Sequence, residues 1–200
     1  MLSRLQFLVE GFFEWSAGVF KKAGLSPNWI TVLSFLLAIV ASILYAARLS
    51  PPVSWIAAVL SLVLSGYFDA LDGAMARRFL LVTKTGGVLD SVLDRIGEIS
   101  IYSGLALGGL VDFRLALWAL SAALMVSYVR ARAEVEGVTM KGVGIAERPE
   151  RLLVLLAATI LVPFSSGTLG WGVGLIAVLA SATVVERVYV VTRKLSVTRT

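Results

Sequence analysis

The chain contains no cysteine and no histidine. Without cysteine there is no disulfide framework, no thiol nucleophile and no thiolate metal site. Without histidine the usual general base and the commonest transition-metal ligand are missing. Any bound metal must therefore be held by oxygen, which favours hard ions such as Mg²⁺, Mn²⁺ or Ca²⁺. Charge is also scarce. Only 16% of the 200 residues are charged, against about 25% in soluble domains. Hydrophobic residues make up 58%, and the mean hydropathy is +0.89. This is the composition of an integral membrane protein, and 200 residues suit a single domain.

Residues 1–22, MLSRLQFLVEGFFEWSAGVFKK, do not read as a cleaved signal, because Glu10 and Glu14 interrupt the apolar run. Leu5, Leu8, Phe12, Trp15 and Val19 recur at helical spacing. The segment is expected to form an amphipathic helix in the membrane interface. A surface helix packed on the protein itself is the alternative. Ser26-Pro27 is a helix-starting pair. Apolar runs follow at roughly 28–47, 53–68, 87–110, 113–130, 152–167 and 170–192, with Pro51-Pro52 breaking the first from the second. Each approaches the ~20 residues of a spanning helix. The expected fold is all-α: a polytopic membrane protein with six transmembrane helices over 28–193, preceded by the interfacial helix, in one domain of residues 1–200. Six spans divide the 18 basic residues unevenly. Only Arg48 and Arg114 fall on one side, and the other 16 on the opposite side. The positive-inside rule then puts both termini in the cytoplasm of a prokaryotic cell, beside its plasma membrane. The net charge of +5 thus reads as topology, and no nucleic-acid partner is expected.

Against this oily background stands FDALDGAMARRFLLVTKTGGVLDSVLDR, residues 68–95, with Asp69, Asp72, Asp90 and Asp94. Spacings of three and four put each pair on one helical face. The first pair ends the second span and the second pair begins the third, so a short connection brings the pairs face to face. Four converging carboxylates must raise their pKa values or bind cations. One or two divalent ions are the economical answer. Gly73 and Ala76 share the Asp69 face and leave room for a ligand, Gly86 and Gly87 loosen the connection, and Arg77 suits a phosphate. Carboxylates, metal and arginine together suit a pyrophosphate substrate. Capping or solvated aspartates would explain any one of the four, but not the set. A divalent cation channel or transporter is the non-enzymatic alternative. It is disfavoured because the aspartates cluster at one membrane face beside an arginine and not at the midplane.

Asp69-x2-Asp72-Gly73-x2-Ala76-Arg77-x8-Gly86-x3-Asp90-x3-Asp94 resembles the signature of the CDP-alcohol phosphotransferase family, at every fixed position. The resemblance implies transfer of a phosphatidyl-type group from a CDP-linked lipid to an alcohol, with release of CMP. It implies that Asp69, Asp72 and Asp90 ligate Mg²⁺ or Mn²⁺, as two ions, with Asp94 helping or acting as base. Asp69, Gly73 and Arg77 would contact the nucleotide and its phosphates. SPNWIT resembles the family's Pro-Asn-x-x-Thr segment, which adds Asn28 and Thr31 to the CDP-lipid site. A homodimer is implied as well.

A basic constellation bears on the acceptor. SYVRARAE holds Arg130 and Arg132, AERPERL holds Arg148 and Arg151, and Lys141 lies between. Topology accounts for some basic residues here. Four converging arginines also suit a dianionic phosphate and would repel choline or ethanolamine. The expected acceptor is an alcohol that already bears a phosphate. SYVRARAE and ERPER are similar to stretches of prokaryotic phosphatidylinositol phosphate synthases and archaetidylinositol phosphate synthases, although the first basic position is more familiar there as lysine. That similarity implies inositol phosphate as acceptor, bound by Arg130, Arg132, Arg148 and Arg151, with Arg187 joining them. Glycerol 3-phosphate is the chief alternative. The lipid donor is a diacylglycerol or an archaeol derivative, since both offer apolar tails.

Overall fold

A computed structural model describes residues 2–48, 53–140, 142–165 and 167–197, with side chains described from Gly11 to Ser196. The expected break at Pro51-Pro52, Lys141, and the side chains of Leu5 and Leu8 lie outside that description. Seven helices and no strand occur among the described residues: α1 (Leu2–Lys22), α2 (Pro27–Ala46), α3 (Val53–Arg78), α4 (Lys84–Leu107), α5 (Phe113–Val135), α6 (Arg148–Ile160) and α7 (Thr168–Val197). Pro27 opens α2 where its missing N–H costs nothing. The Thr83 hydroxyl caps α4 by accepting from the Gly86 N–H, and Asp112 caps α5. Gly86 thus lies inside the first turn of α4.

Four helices, α2, α3, α5 and α7, are long and apolar enough to cross a membrane. Their outward faces carry exposed apolar side chains such as Leu36, Val40, Leu60, Leu117 and Val178, as lipid contact requires. Two of the six expected spans differ. α4 has the length, but Asp90, Asp94, Arg95 and Glu98 make its first half polar. α6 has only 13 residues, about 20 Å at 1.5 Å per residue. It stops at Ile160 because Pro163 cannot continue the ladder, and the chain turns over residues 161–164.

α2 packs along both α3 and α4, α5 along α7, and α6 against α3 and α7. The core where they meet is rich in alanine, including Ala38, Ala41, Ala58, Ala119, Ala123, Ala158 and Ala177. Small residues let helix backbones approach closely. At Gly108 an added methyl would run into the Tyr45 carbonyl of α2, so only glycine allows this α2–α4 spacing. Buried hydroxyls pin the helices laterally. Ser34 donates to the Ser65 carbonyl at 2.8 Å and Ser65 returns the bond to the Ser34 carbonyl at 3.0 Å. Tyr45 pairs with Thr159 at 2.6 Å, and the Trp55 indole donates to the Thr159 carbonyl at 2.7 Å.

α1 lies against α3. Ala17, with Phe13 and Phe20 around it, joins Leu71, Met75, Tyr67 and Phe68 in a small aromatic-rich cluster. Trp15 and Val19 stay exposed, and Phe12 is half exposed with its ring centroid 6.0 Å from that of Tyr67. One apolar stripe therefore packs on the protein and a second faces outward.

Candidate active site

The α3–α4 turn makes the site. α3 ends with the Leu81 N–H bonded to the Ala76 carbonyl and the Leu80 N–H to the Arg77 carbonyl. This is a Schellman closure. Its left-handed position is held by Leu80 at φ +54°, where glycine is usual. The tight reversal brings Asp69 and Asp72 of α3 opposite Asp90 of α4. Asp69, Asp72 and Asp90 each offer one oxygen, all within 4.8 Å of one another. Asp72 is the most buried, at 7% exposure. The Thr31 hydroxyl of α2 donates to Asp72 Oδ2 at 2.5 Å, with the Pro27 carbonyl as its alternative acceptor at 3.1 Å.

Asp94 stands beside this group, held by arginines. Arg148 Nη1 lies 2.8 Å from Asp94 Oδ1 and 2.6 Å from Asp69 Oδ1. Arg95 lies 3.6 Å from Asp94. The carboxylates of Asp69 and Asp94 offset the cost of taking the Arg148 guanidinium out of water.

These residues line a cavity of about 1350 Å³ whose opposite wall is basic. Arg130, Arg148, Arg151 and Arg187 all line it, and each is held by an acceptor. Arg187, 1% exposed, donates to the Val143 and Val126 carbonyls at 2.9 Å each and to Glu147 at 2.6 Å. Arg151 is paired with Glu98 and donates to the Ala146 carbonyl at 2.7 Å. Arg130 pairs with Glu134 at 3.0 Å on the surface of α5. The loop before α6 is fixed by Thr183, whose hydroxyl accepts from the Ile145 and Ala146 N–H groups at 3.2 and 3.1 Å.

Other expected site residues fall as follows. Gly73 and Arg77 line the cavity, and a Cβ on Gly73 would sit 3.1 Å from the Arg77 guanidinium. Arg77 is exposed and has no ion-pair partner among the described residues. Thr31 acts from behind Asp72 and does not line the cavity. Asn28 is exposed at the start of α2, its Oδ1 3.0 Å from where a Cβ on Gly86 would be, and is not on the cavity wall. Arg132 is also off that wall and pairs with Glu136 at 2.5 Å. A spacing of two turns Arg132 about 200° away from Arg130 on a helix. Glu98, Arg95, Ser127, Glu147 and Thr183 were not legible as a set. The signal for Glu98 was present, because it continues the four-residue stripe of Asp90 and Asp94. Phe13 and Glu14 of α1 also line the cavity, and Arg78 is clasped to Glu14.

The family model of the CDP-alcohol phosphatidyltransferases matches residues 24–192. The chain belongs to this family. The archaetidylinositol phosphate synthase of Pyrococcus horikoshii is 36% identical over 195 residues, spanning 98% of each chain. That of Methanothermobacter thermautotrophicus is 40% identical over 160 residues, 80% of this chain and 77% of its own. A crystal structure of the Mycobacterium tuberculosis phosphatidylinositol phosphate synthase with CDP-DAG bound aligns with a TM-score of 0.76 at 29% identity, covering 90% of this chain and 92% of that one. The same enzyme in complex with manganese and citrate also aligns at 0.76, at 29% identity, over 90% of this chain and 88% of that one. The resemblance carried by the aspartate signature is borne out. This CDP-alcohol phosphatidyltransferase is a membrane transferase of phospholipid synthesis. Its three clustered carboxylates fit a hard divalent cation, because oxygens this close surround an ion at the usual ~2.0–2.6 Å.

Proposed function

We propose that the protein transfers the lipid phosphate group of a CDP-linked lipid to a hydroxyl of inositol phosphate, releasing CMP. The lipid is a diacylglycerol or an archaeol derivative. One observation carries this reading: a carboxylate cluster and a set of buried, pre-oriented arginines share a single cavity. The names of the archaeal and mycobacterial relatives support the same acceptor. A donor pyrophosphate belongs at the carboxylate end, with Arg77 free to meet a phosphate oxygen. Asp69, Asp72 and Asp90, with Asp94, would hold Mg²⁺ or Mn²⁺ as two ions, which would supply charge neutralisation for the pyrophosphate and the leaving group. Gly73 keeps the α3 backbone open to the donor, Thr31 steadies Asp72, and Asn28 stands beside Gly86 at the start of α4.

The acceptor's phosphate docks on Arg130, Arg151 and Arg187, with Arg148 between the two ends. Asp94 takes the proton of the attacking hydroxyl. The hydroxyl oxygen bonds to the phosphorus joined to the lipid, and the bond from that phosphorus to the CMP oxygen breaks. Arginines at both ends hold the reacting oxygens in line, which is where most catalysis of phosphoryl transfer arises.

The proposal extends to topology. α4 and the α6 segment complete six crossings of one domain over residues 1–200, α1 lies in the interface on its Phe12, Trp15 and Val19 face, and the site and both termini are cytoplasmic. The 16-to-2 division of basic residues supports this. Two copies form the homodimer that the family resemblance implies. The deciding experiment is CMP release from CDP-lipid with Mg²⁺ or Mn²⁺, comparing inositol phosphate, free inositol, glycerol 3-phosphate and serine. Release with inositol phosphate alone is expected. Release with glycerol 3-phosphate instead would keep the carboxylate chemistry and overturn the acceptor.

A further inference from the structure

Glu98 lies one helical turn beyond Asp94 on α4 and is 9% exposed. Its Oε1 accepts from both Nε and Nη2 of Arg151 on α6, at 3.1 Å for Nε. Its Oε2 accepts from Arg95 Nη1 at 2.5 Å, and that nitrogen also donates to the Ser127 hydroxyl of α5 at 2.5 Å. One buried carboxylate therefore ties α4 to α6 directly and to α5 through Arg95.

A buried ion pair is a poor source of stability, because desolvation consumes most of the Coulombic gain. Its better-attested effect is to fix one arrangement among several. Here the arrangement fixed is functional. α4 carries Asp90 and Asp94, α6 carries Arg148 and Arg151, and Glu98 sets one helix against the other. Glu98 stands behind the cavity wall, and the two acids that pair with arginines on the wall itself differ from it. Glu134 and Glu147 each hold one arginine and are more exposed, with side chains 51% and 33% accessible against 10% for Glu98. With its Nε edge on Glu98 and one Nη1 hydrogen on the Ala146 carbonyl, Arg151 keeps two of its five N–H groups for a ligand.

We propose that Glu98 is a positioning residue for acceptor use. It orients Arg151 and Arg95 so that the acceptor's phosphate is held at a set place relative to Asp94. This deepens the function proposed above and rests on it. The test compares wild type, Glu98→Gln and Glu98→Asp as full chains with Mn²⁺, titrating inositol phosphate at saturating CDP-lipid and then the reverse. Glu98→Gln keeps the shape but loses the charge. Its acceptor KM should rise about tenfold or more, the scale of one lost charge-assisted hydrogen bond, while the donor KM stays within about twofold of wild type. Glu98→Asp restores the charge on a shorter stem, and its acceptor KM should fall between the two. Equal changes in both KM values, or loss of kcat at unchanged acceptor KM, would overturn the proposal. If Glu98→Gln does not fold, Glu98→Asp decides alone: a raised acceptor KM supports the proposal and a wild-type value overturns it. If wild type gives no CMP with inositol phosphate, the acceptor assignment fails. The same comparison with glycerol 3-phosphate, which bears the same phosphate group, then judges Glu98 separately.

Discussion

The acidic and basic ends of the cavity are built differently. The acidic end comes from one helical hairpin, α3 and α4, closed by a five-residue connection over 79–83. Asp69, Asp72 and Asp90 there each offer an oxygen within 4.8 Å of the others, with α2 packed along both helices that carry them. The basic end is assembled from α5, α6 and α7: Arg151 is held by Glu98 of α4 and Arg187 by Glu147 ahead of α6, while Arg130 pairs with Glu134 one turn along its own helix. The acidic end needs the right spacing on two helices that follow one another in the chain, with α2 packed along both and Thr31 behind Asp72. The basic end needs the whole bundle in register. Concentrated negative charge is to be neutralised by a cation, so the carboxylates gain from crowding. The arginines repel one another, and interleaved glutamates are what let them gather.

If that contrast is right, the largest loss should follow from breaking the acidic end. Asp90→Asn should lower turnover by roughly a thousandfold, the scale of losing a main electrostatic stabiliser, and Mn²⁺ titration followed by electron paramagnetic resonance should show weakened binding. Asp94→Asn should also remove nearly all turnover yet keep CDP-lipid binding; full activity in that variant would sink its role as base. At the basic end, Arg130→Ala should raise the acceptor KM by about ten- to a hundredfold and leave Mn²⁺ binding alone. An unchanged acceptor KM there would dissolve the division into two ends. Gly108→Ala lies far from both ends and should act on the scaffold, costing about 1–3 kcal/mol through the forced shift of α2 from α4. A lowered melting temperature in detergent would show it. Arg132→Ala should be the mildest, with activity within about twofold of wild type, since exposed helix ion pairs contribute only ~0.3–0.5 kcal/mol. A large effect would move Arg132 onto the cavity wall.

The same contrast explains what could be read in advance. Asp69, Asp72 and Asp90 were legible because helical periodicity is a local property, and three- and four-residue spacings fix a face. Arg130 and Arg132 looked equivalent as neighbours in SYVRARAE, but a two-residue step sends them to opposite sides of α5. Glu98 was readable as the next member of a four-residue stripe, yet its partner Arg151 lies far along the chain, as does Ser127, which Arg95 reaches. α4 and α6 were expected as plain spans. The first carries its charges into the bundle, where other helices satisfy them, and the second is cut short by Pro163.

By itself the sequence determined the oxygen-only chemistry, the apolar helices and the facing carboxylate pairs. Each follows from composition or from a 3.6-residue repeat. Only the tertiary structure decided which arginines reach the cavity, which glutamates hold them, and how closely α2 and α4 approach. Those depend on contacts between segments dozens of residues apart, whose distances no local periodicity encodes.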